Sequence, residues 1–377
     1  MQHAAYWITI SHLQRWTNAK INDLIKKIYI DNGADLESFF SLSVSDWEND
    51  YSLDERQLLS LSEAKEQVAN NAFVAESLIH QGYELIPLIS EEYPPTMKEN
   101  LKMNYSPPLL YVKGNKQLLM EDSVAIVGSR KASSNGMKFT ENVAKHATQN
   151  YQVVVSGFAK GIDRAALDFA MKYTGQSIIV LPQGITTFAS GFKTYYQHII
   201  RGDVLVLSAF HPKAPWSVGL AMARNPIIYG LANHIYVADS SNTGGTWEGV
   251  KDGLKKGRTI YIRKPEIEED SANADLIDMG GTAVDMYGKP ISHEKMKSEV
   301  NKQKEILEGL SENIVDILAE KALTAKEICT SLNTDISYQK MSVLLKNIDD
   351  VEKVKVGRST KYRVKIPDIF DLQVSQN

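Results

Sequence analysis

From residue 123 onward, short apolar runs return at regular intervals: VAIVG at 124–128, QVVVSG at 152–157, SIIVLPQG at 177–184, DVLVLSAF at 203–210, HIYVAD at 234–239 and RTIYIR at 258–263. None alternates polar with apolar, so each reads as a strand buried on both faces. The helical spacing between most of them implies parallel order. The pattern predicts an α/β fold, an extended Rossmann-like, doubly wound and mostly parallel sheet. Ligands of such sheets bind beyond the carboxyl ends of the strands.

The flanks read differently. Residues 1–75 show helical apolar spacing broken by DNGAD and NDYSLDE, which predicts a small N-terminal helical domain. The segment GYELIPLISEEYPPTMKENLKMNYSPPLLYVKGN carries two proline pairs, which neither a helix interior nor a central strand accepts. It is expected to be an irregular lead-in with brief strands, opening a sheet domain over 80–292. One more short strand is expected around TAVDMYG, then a polar helix, HEKMKSEVNKQKEILEGL. Residues 300–366 read helix, helix, helix and a two-stranded ribbon, VEKVKVGRSTKYRV, the order of a winged helix; 367–377 form a tail.

Composition narrows the class. Of 377 residues, 43% are hydrophobic and 23% charged, which suits a soluble globular chain of two or three domains. No stretch approaches the roughly 18 apolar residues of a membrane span. The N-terminal residues lack a basic region followed by an apolar block and a cleavage site, so a cytoplasmic location is expected. The single Cys329 excludes an intramolecular disulfide and a cysteine metal cluster, and the eight histidines form no H-x-x-x-H pattern; neither metal nor cofactor is expected. A net charge of −4 does not advertise a polyanion partner, but phosphate contacts come from a few placed cations.

Those cations cluster at the strand ends. Gly128-Ser129-Arg130 closes the first run, and Ser133, Ser134 or Asn135 can cap the helix that follows. A second glycine turn spans Ser156, Gly157, Lys160, Gly161, Asp163 and Arg164, and a third spans Thr243, Gly244, Gly245 and Thr246. Glycines let backbone approach a ligand closely, and helix starts favour anions; Arg130, Lys160 and Arg164 add charge-assisted contacts. Any one of these glycines alone is as readily a tight strand-to-helix turn. Arg224 and Asn225 stand in an apolar helical stretch where a charge needs a partner or a purpose, and Pro226 is expected to break or kink that helix at Asn225. The first turn lacks G-x-G-x-x-G and the second strand ends without an acidic residue, which disfavours a dinucleotide. Asp163, Asp239 and Glu248 near strand ends suit an acid or base, though helix-start carboxylates are more often caps. Ser129 and Ser156 have no nearby histidine to activate them. Lys193 lies among Phe192, Tyr195 and Tyr196, which suit base stacking or core packing. In the ribbon, Lys353, Lys355, Arg358, Lys361, Arg363 and Lys365 gather positive charge, against acidic Asp349, Asp350 and Glu352 beside it.

In this order, VAIVGSR, VVVSGFAKGIDRAAL, IIVLPQG, LVLSAF and ARNPIIYGLA resemble the DprA/Smf family of DNA-processing proteins, from about Gly82 to Arg263. That resemblance implies an extended Rossmann fold that binds single-stranded DNA, a homodimer, no catalytic residues, and loading of a RecA-type recombinase during DNA recombination and natural transformation. It matches Arg130 to the family's G-S-R, Gly157, Gly161 and Asp163 to its S-G-x-A-x-G-I-D, and Arg224 and Asn225 to its R-N-R. The chain departs from the family at Pro226 for the second arginine, Leu167 for a histidine and Ala209 for a glutamate. Its Asn242–Glu248 segment is similar to the G-G-x-G-T-x-x-E loop of lysine-decarboxylase-like nucleotide enzymes. These departures admit an antiviral defence role, an antitoxin-like partner of a neighbouring toxin acting through the winged helix, or a nucleotide-binding sensor or enzyme.

Overall fold

The computed structural model describes residues 2–266, 269, 271–292, 309–334, 338–346, 348–356 and 359–365. Two compact units divide the chain, Met1–Pro290 and Ile291–Asn377.

The first unit is built on a nine-stranded sheet of order β1-β2-β6-β5-β4-β3-β7-β8-β9. Its strands are β1 (Glu84–Pro87), β2 (Leu109–Gly114), β3 (Ser123–Gly128), β4 (Val153–Gly157), β5 (Ser177–Val180), β6 (Val204–Ser208), β7 (His234–Asp239), β8 (Ile260–Arg263) and β9 (Thr282–Val284). From β6 through β9 all neighbours are parallel; β1 and β2 pair antiparallel at one edge. The six apolar runs are β3 to β8, as expected. The strand order reverses between β3 and β7, and that switch point opens a crevice at their carboxyl ends.

Both faces of the sheet are covered, which is why the runs do not alternate. On β3, Val124 and Ile126 face one side with Phe139, Val143 and Ala147 of α8 (Ser134–Gln149) and Ile162, Ala166 and Ala170 of α9 (Ile162–Lys172). Ala125 and Val127 face the other, with Ile227 and Ile228 of α11 (Val218–Leu231) and Val250 of α12 (Gly245–Lys255). Each helix places its apolar residues three or four apart, so one stripe meets the sheet. The proline pairs of the lead-in serve as punctuation: Pro94 caps α7 (Pro95–Tyr105) and Pro95 is its first residue, where a missing N–H loses nothing.

Six helices run from α1 (Gln2–Ser11) to α6 (Val68–His80). Expected as a domain of their own, they instead share one core with the sheet. Ile8, Leu24, Phe39 and Trp47 pack in one cluster with Tyr111, Ile179, Val204 and Val206, and with Tyr195 of α10 (Ala189–Arg201).

The second unit holds three helices, at residues 309–320, Ala325–Ser331 and Tyr338–Leu344, and the antiparallel pair β10 (Val351–Val356) and β11 (Ser359–Val364). Ile314, Leu318, Ile328, Met341, Val351 and Tyr362 form its core, and Leu323 makes an isolated antiparallel bridge to Tyr362. Three helices and a ribbon in this order make a winged helix. Arg358, residues 293–308 of the helix predicted over 293–310, and the tail lie outside the described residues.

Candidate functional site

A cavity of about 650 Å³ opens at the switch point, lined by the turn after β3, the start of α11 and the turn between β7 and α12. Ten of the residues singled out in the sequence meet here. Gly128, Ser129, Arg130, Asn225, Thr243, Gly244, Gly245 and Thr246 all line it, as do Asp163 and Arg224. The turn after β4 lies alongside: the Ile162 N–H donates to the Ser129 carbonyl at 3.2 Å, so the first two glycine turns are stitched together. Arg130, Lys131 and Lys160 are exposed on these joined turns, and among the described residues none of them forms an ion pair.

The start of α12 is the open anion-favouring element. A helix leaves its first N–H groups without intrahelical partners, and no side chain caps this one, whose N-cap is Gly244. The Asn225 amide donates to the Gly245 carbonyl at 3.1 Å and holds the turn against α11. By contrast, Ser133 caps α8 by accepting the Gly136 N–H at 2.9 Å, and Ser217 caps α11 by accepting the Leu220 N–H at 3.1 Å.

Several expected phosphate contacts have partners within the fold instead. Arg224 is 4% exposed, and its Nη1 donates to the Val180 carbonyl at 3.1 Å. Its Nη2 lies 3.7 Å from Oδ2 of Asp163, itself buried. Burial pushes the Asp163 carboxyl up, while the Arg224 guanidinium and the N–H groups of Gly128 and Gly157 draw it back. The pair therefore braces α11 to α9 beneath the cavity, with its charge spent internally. Gly157 is required because a Cβ there would fall 1.5 Å from Arg224 Nη1. Ser156 is fully buried and donates to the Ile126 carbonyl at 2.6 Å, so it meets no ligand. Arg164 is committed to Asp168 at 3.3 Å and lies over the Phe158 ring at 4.4 Å.

Pro226 does not break its helix. α11 runs continuously through it, held by buried Ile227, Ile228 and Leu231 against the sheet. Tyr195 is core and donates to Asp168 at 2.7 Å; Phe192 packs on Tyr83 and Phe188. Lys193 and Tyr196 are exposed on α10, outside the cavity. Asp239 is neither acid nor base here but a staple: its carboxylate accepts the Ser133 N–H at 3.1 Å and the Ser271 hydroxyl at 3.0 Å. Leu167, at the place of the expected histidine, is fully buried.

Sequence reasoning passed over Lys131, Val218 and Met222, which also line the cavity. Lys131 sat beside Arg130 in plain view; the other two carry no chemical signature. It also passed over Trp216, 51% exposed in the turn from β6 to α11, on the carboxyl edge of the sheet.

The ribbon charges are divided. Cross-strand partners share a face, and the register pairs Lys353 with Tyr362, Lys355 with Thr360 and Val354 with Lys361. Lys353 and Lys355 thus occupy one face, Lys361 and Arg363 the other. Arg363 is paired with Glu352 at 2.6 Å.

Residues 84–295 match the family model of DNA recombination-mediator protein A. The chain is 36% identical over 156 residues to DNA processing protein DprA of Streptococcus pneumoniae, covering 41% of this chain and 55% of that protein, about half its length. It is 28% identical over 216 residues to DprA of Bacillus subtilis, covering 54% of this chain and 69% of that one. The crystal structure of the Streptococcus pneumoniae protein superposes with a TM-score of 0.62 at 28% identity, covering 75% of this chain and 94% of that one.

Proposed function

The chain belongs to the DNA recombination-mediator protein A family, and on that premise we propose that it binds single-stranded DNA along the carboxyl edge of its sheet, without catalysing a reaction. The observation that carries the reading is the stitching of the β3 and β4 turns, which gathers Arg130, Lys131 and Lys160, exposed and without ion-pair partners among the described residues. A strand backbone laid across them meets three cations, and the uncapped α12 start supplies N–H donors on the far side of the crevice. Half-exposed Trp216 offers a ring on which a base can stack. The buried pair of Arg224 and Asp163 keeps this edge rigid rather than touching phosphate.

In this reading the phosphates are gripped and the bases stay accessible, so the strand can pass to a recombinase of the RecA type. The family's designation as a recombination mediator supports that role. A mobility shift of the full chain on single-stranded and double-stranded 30-mers tests it. Preferential retention of the single strand is expected; equal or weaker retention overturns the reading.

A further inference from the structure

The turn that carries Arg130 and Lys131 runs from the end of β3 to the Ser133 cap of α8, and it is pinned at both ends. At its start the Ser129 N–H donates to the Asp239 carbonyl at 2.8 Å, and at its end the Ser133 N–H donates to the Asp239 carboxylate. The first turn of α8 has a further anchor. The Asn135 amide donates to Oε1 of Glu269, whose Oε2 lies 2.7 Å from Nη2 of Arg263, the last residue of β8. Nε of Arg263 donates in turn to the Ala238 carbonyl of β7 at 2.7 Å. These contacts tie the start of α8 to the ends of β7 and β8, and none of Arg263, Glu269 and Asn135 lines the cavity.

Stability alone gives the pair little reason. The Arg263 side chain is 1% exposed and that of Glu269 15% exposed, and Nη1 of Arg263 has no hydrogen-bond acceptor among the described residues. Desolvating two charges outweighs the attraction of a pair whose hydrogen bonds are incomplete, and apolar side chains of similar size in their place are often neutral or stabilising. What apolar side chains do not supply is the directional bond to Asn135, which fixes where α8 begins. We propose that Arg263 and Glu269 are positioning residues. The pair orients the start of α8, and through it the Arg130–Lys131 turn, toward a strand backbone. This role rests on the reading of those cations as the phosphate grip.

Arg263→Met combined with Glu269→Leu leaves the net charge of the chain unchanged, so long-range attraction for a strand is unaltered. The urea midpoint of this double variant is expected to equal or exceed that of the wild type. Its affinity for a labelled single-stranded 30-mer is nevertheless expected to fall about fourfold at 150 mM salt, with a log–log salt slope shallower by about 0.7, the share of one phosphate contact. A merely structural pair predicts that affinity follows the midpoint. Asn135→Ala cuts the same link without touching either charge; it is expected to lower affinity and slope alike, and it carries the test should the double variant not fold. In the free protein the Ser133 amide, held by Asp239, is expected to exchange faster in both variants. Wild-type affinity and slope in a folded variant, or unchanged Ser133 exchange, overturns the positioning role. If Arg130→Ala with Lys160→Ala weakens binding while Asn135→Ala does not, the grip stands and only the positioning falls; if that cation variant binds like the wild type, both fall.

Discussion

Nη2 of Arg224 lies 3.7 Å from Oδ2 of Asp163, with the two side chains 5% and 9% exposed. Removing one partner of such a pair strands the other charge, which costs about 3–5 kcal/mol. Asp163→Ala is therefore expected to lower the unfolding free energy by about that amount in urea titrations. Asp163→Leu combined with Arg224→Met, which removes both charges, is expected to recover much of the loss. A double variant as unstable as Asp163→Ala contradicts the pairing.

Two glycines of the site separate close approach from backbone strain. Gly157→Ala drives a Cβ to 1.5 Å from Arg224 Nη1 and displaces the guanidinium from its carbonyl and carboxylate. A loss on the order of 3 kcal/mol is expected. Gly244 has φ +95° and ψ −171° but open space around it, so Gly244→Ala meets only the backbone strain of a conformation essentially reserved to glycine, about 1–3 kcal/mol. Chemical denaturation of both variants checks the order.

His12 gives the fold a titrating element away from the cavity. Its Nε2 shares a hydrogen bond with the Tyr111 hydroxyl at 2.9 Å, and its ring lies 5.4 Å from that of His211. Burial, then the His211 charge, pushes its pKa down from 6.5 to about 3. As pH falls the unfolded chain takes this proton first, so the contribution is complete above pH 6.5 and is lost as pH drops from 6.5 toward 3. His12→Gln is expected to show a shallower loss of stability than the wild type between pH 7 and pH 4.5, measured by urea midpoint. Equal slopes contradict the assignment.

Trp216 supplies an uncharged contact in the proposed interface. Trp216→Ala is expected to weaken single-strand binding by about 1–3 kcal/mol, the worth of one stacked base, while leaving the salt dependence unchanged. Oligo-dT is expected to quench the wild-type tryptophan fluorescence more than that of the variant.

Much of this was legible in the chain because the strands are buried on both faces. Val124 to Val127 can be nothing but a central strand once both sides must be apolar, and the glycine at its end then marks the crevice. What the sequence hid was pairing between turns. Arg224 looks like a ligand for phosphate until Asp163, from another helix start, is found beneath it. Arg164 looks equally free until Asp168 and Phe158 claim it. Ser156 reads as part of a binding turn, yet its strand position buries it. The ribbon lysines show another gap: charge density along a chain does not reveal which face a residue takes, and the β10–β11 register divides them. Pro226 misled because a helix anchored by Ile227 and Ile228 tolerates one missing N–H bond.

The central claim, that exposed cations on the joined β3 and β4 turns grip a strand backbone, is tested most directly by the salt dependence of single-strand affinity. Wild-type chain and the Arg130→Ala, Lys160→Ala double variant are compared by fluorescence anisotropy on a labelled 30-mer from 50 to 300 mM salt, a range over which three phosphate contacts at roughly 0.7 each lower affinity about fortyfold. The account predicts weaker binding by the variant and a log–log slope shallower by about 1.4, at roughly 0.7 per lost phosphate contact. Affinity and slope unchanged in a folded double variant would contradict it.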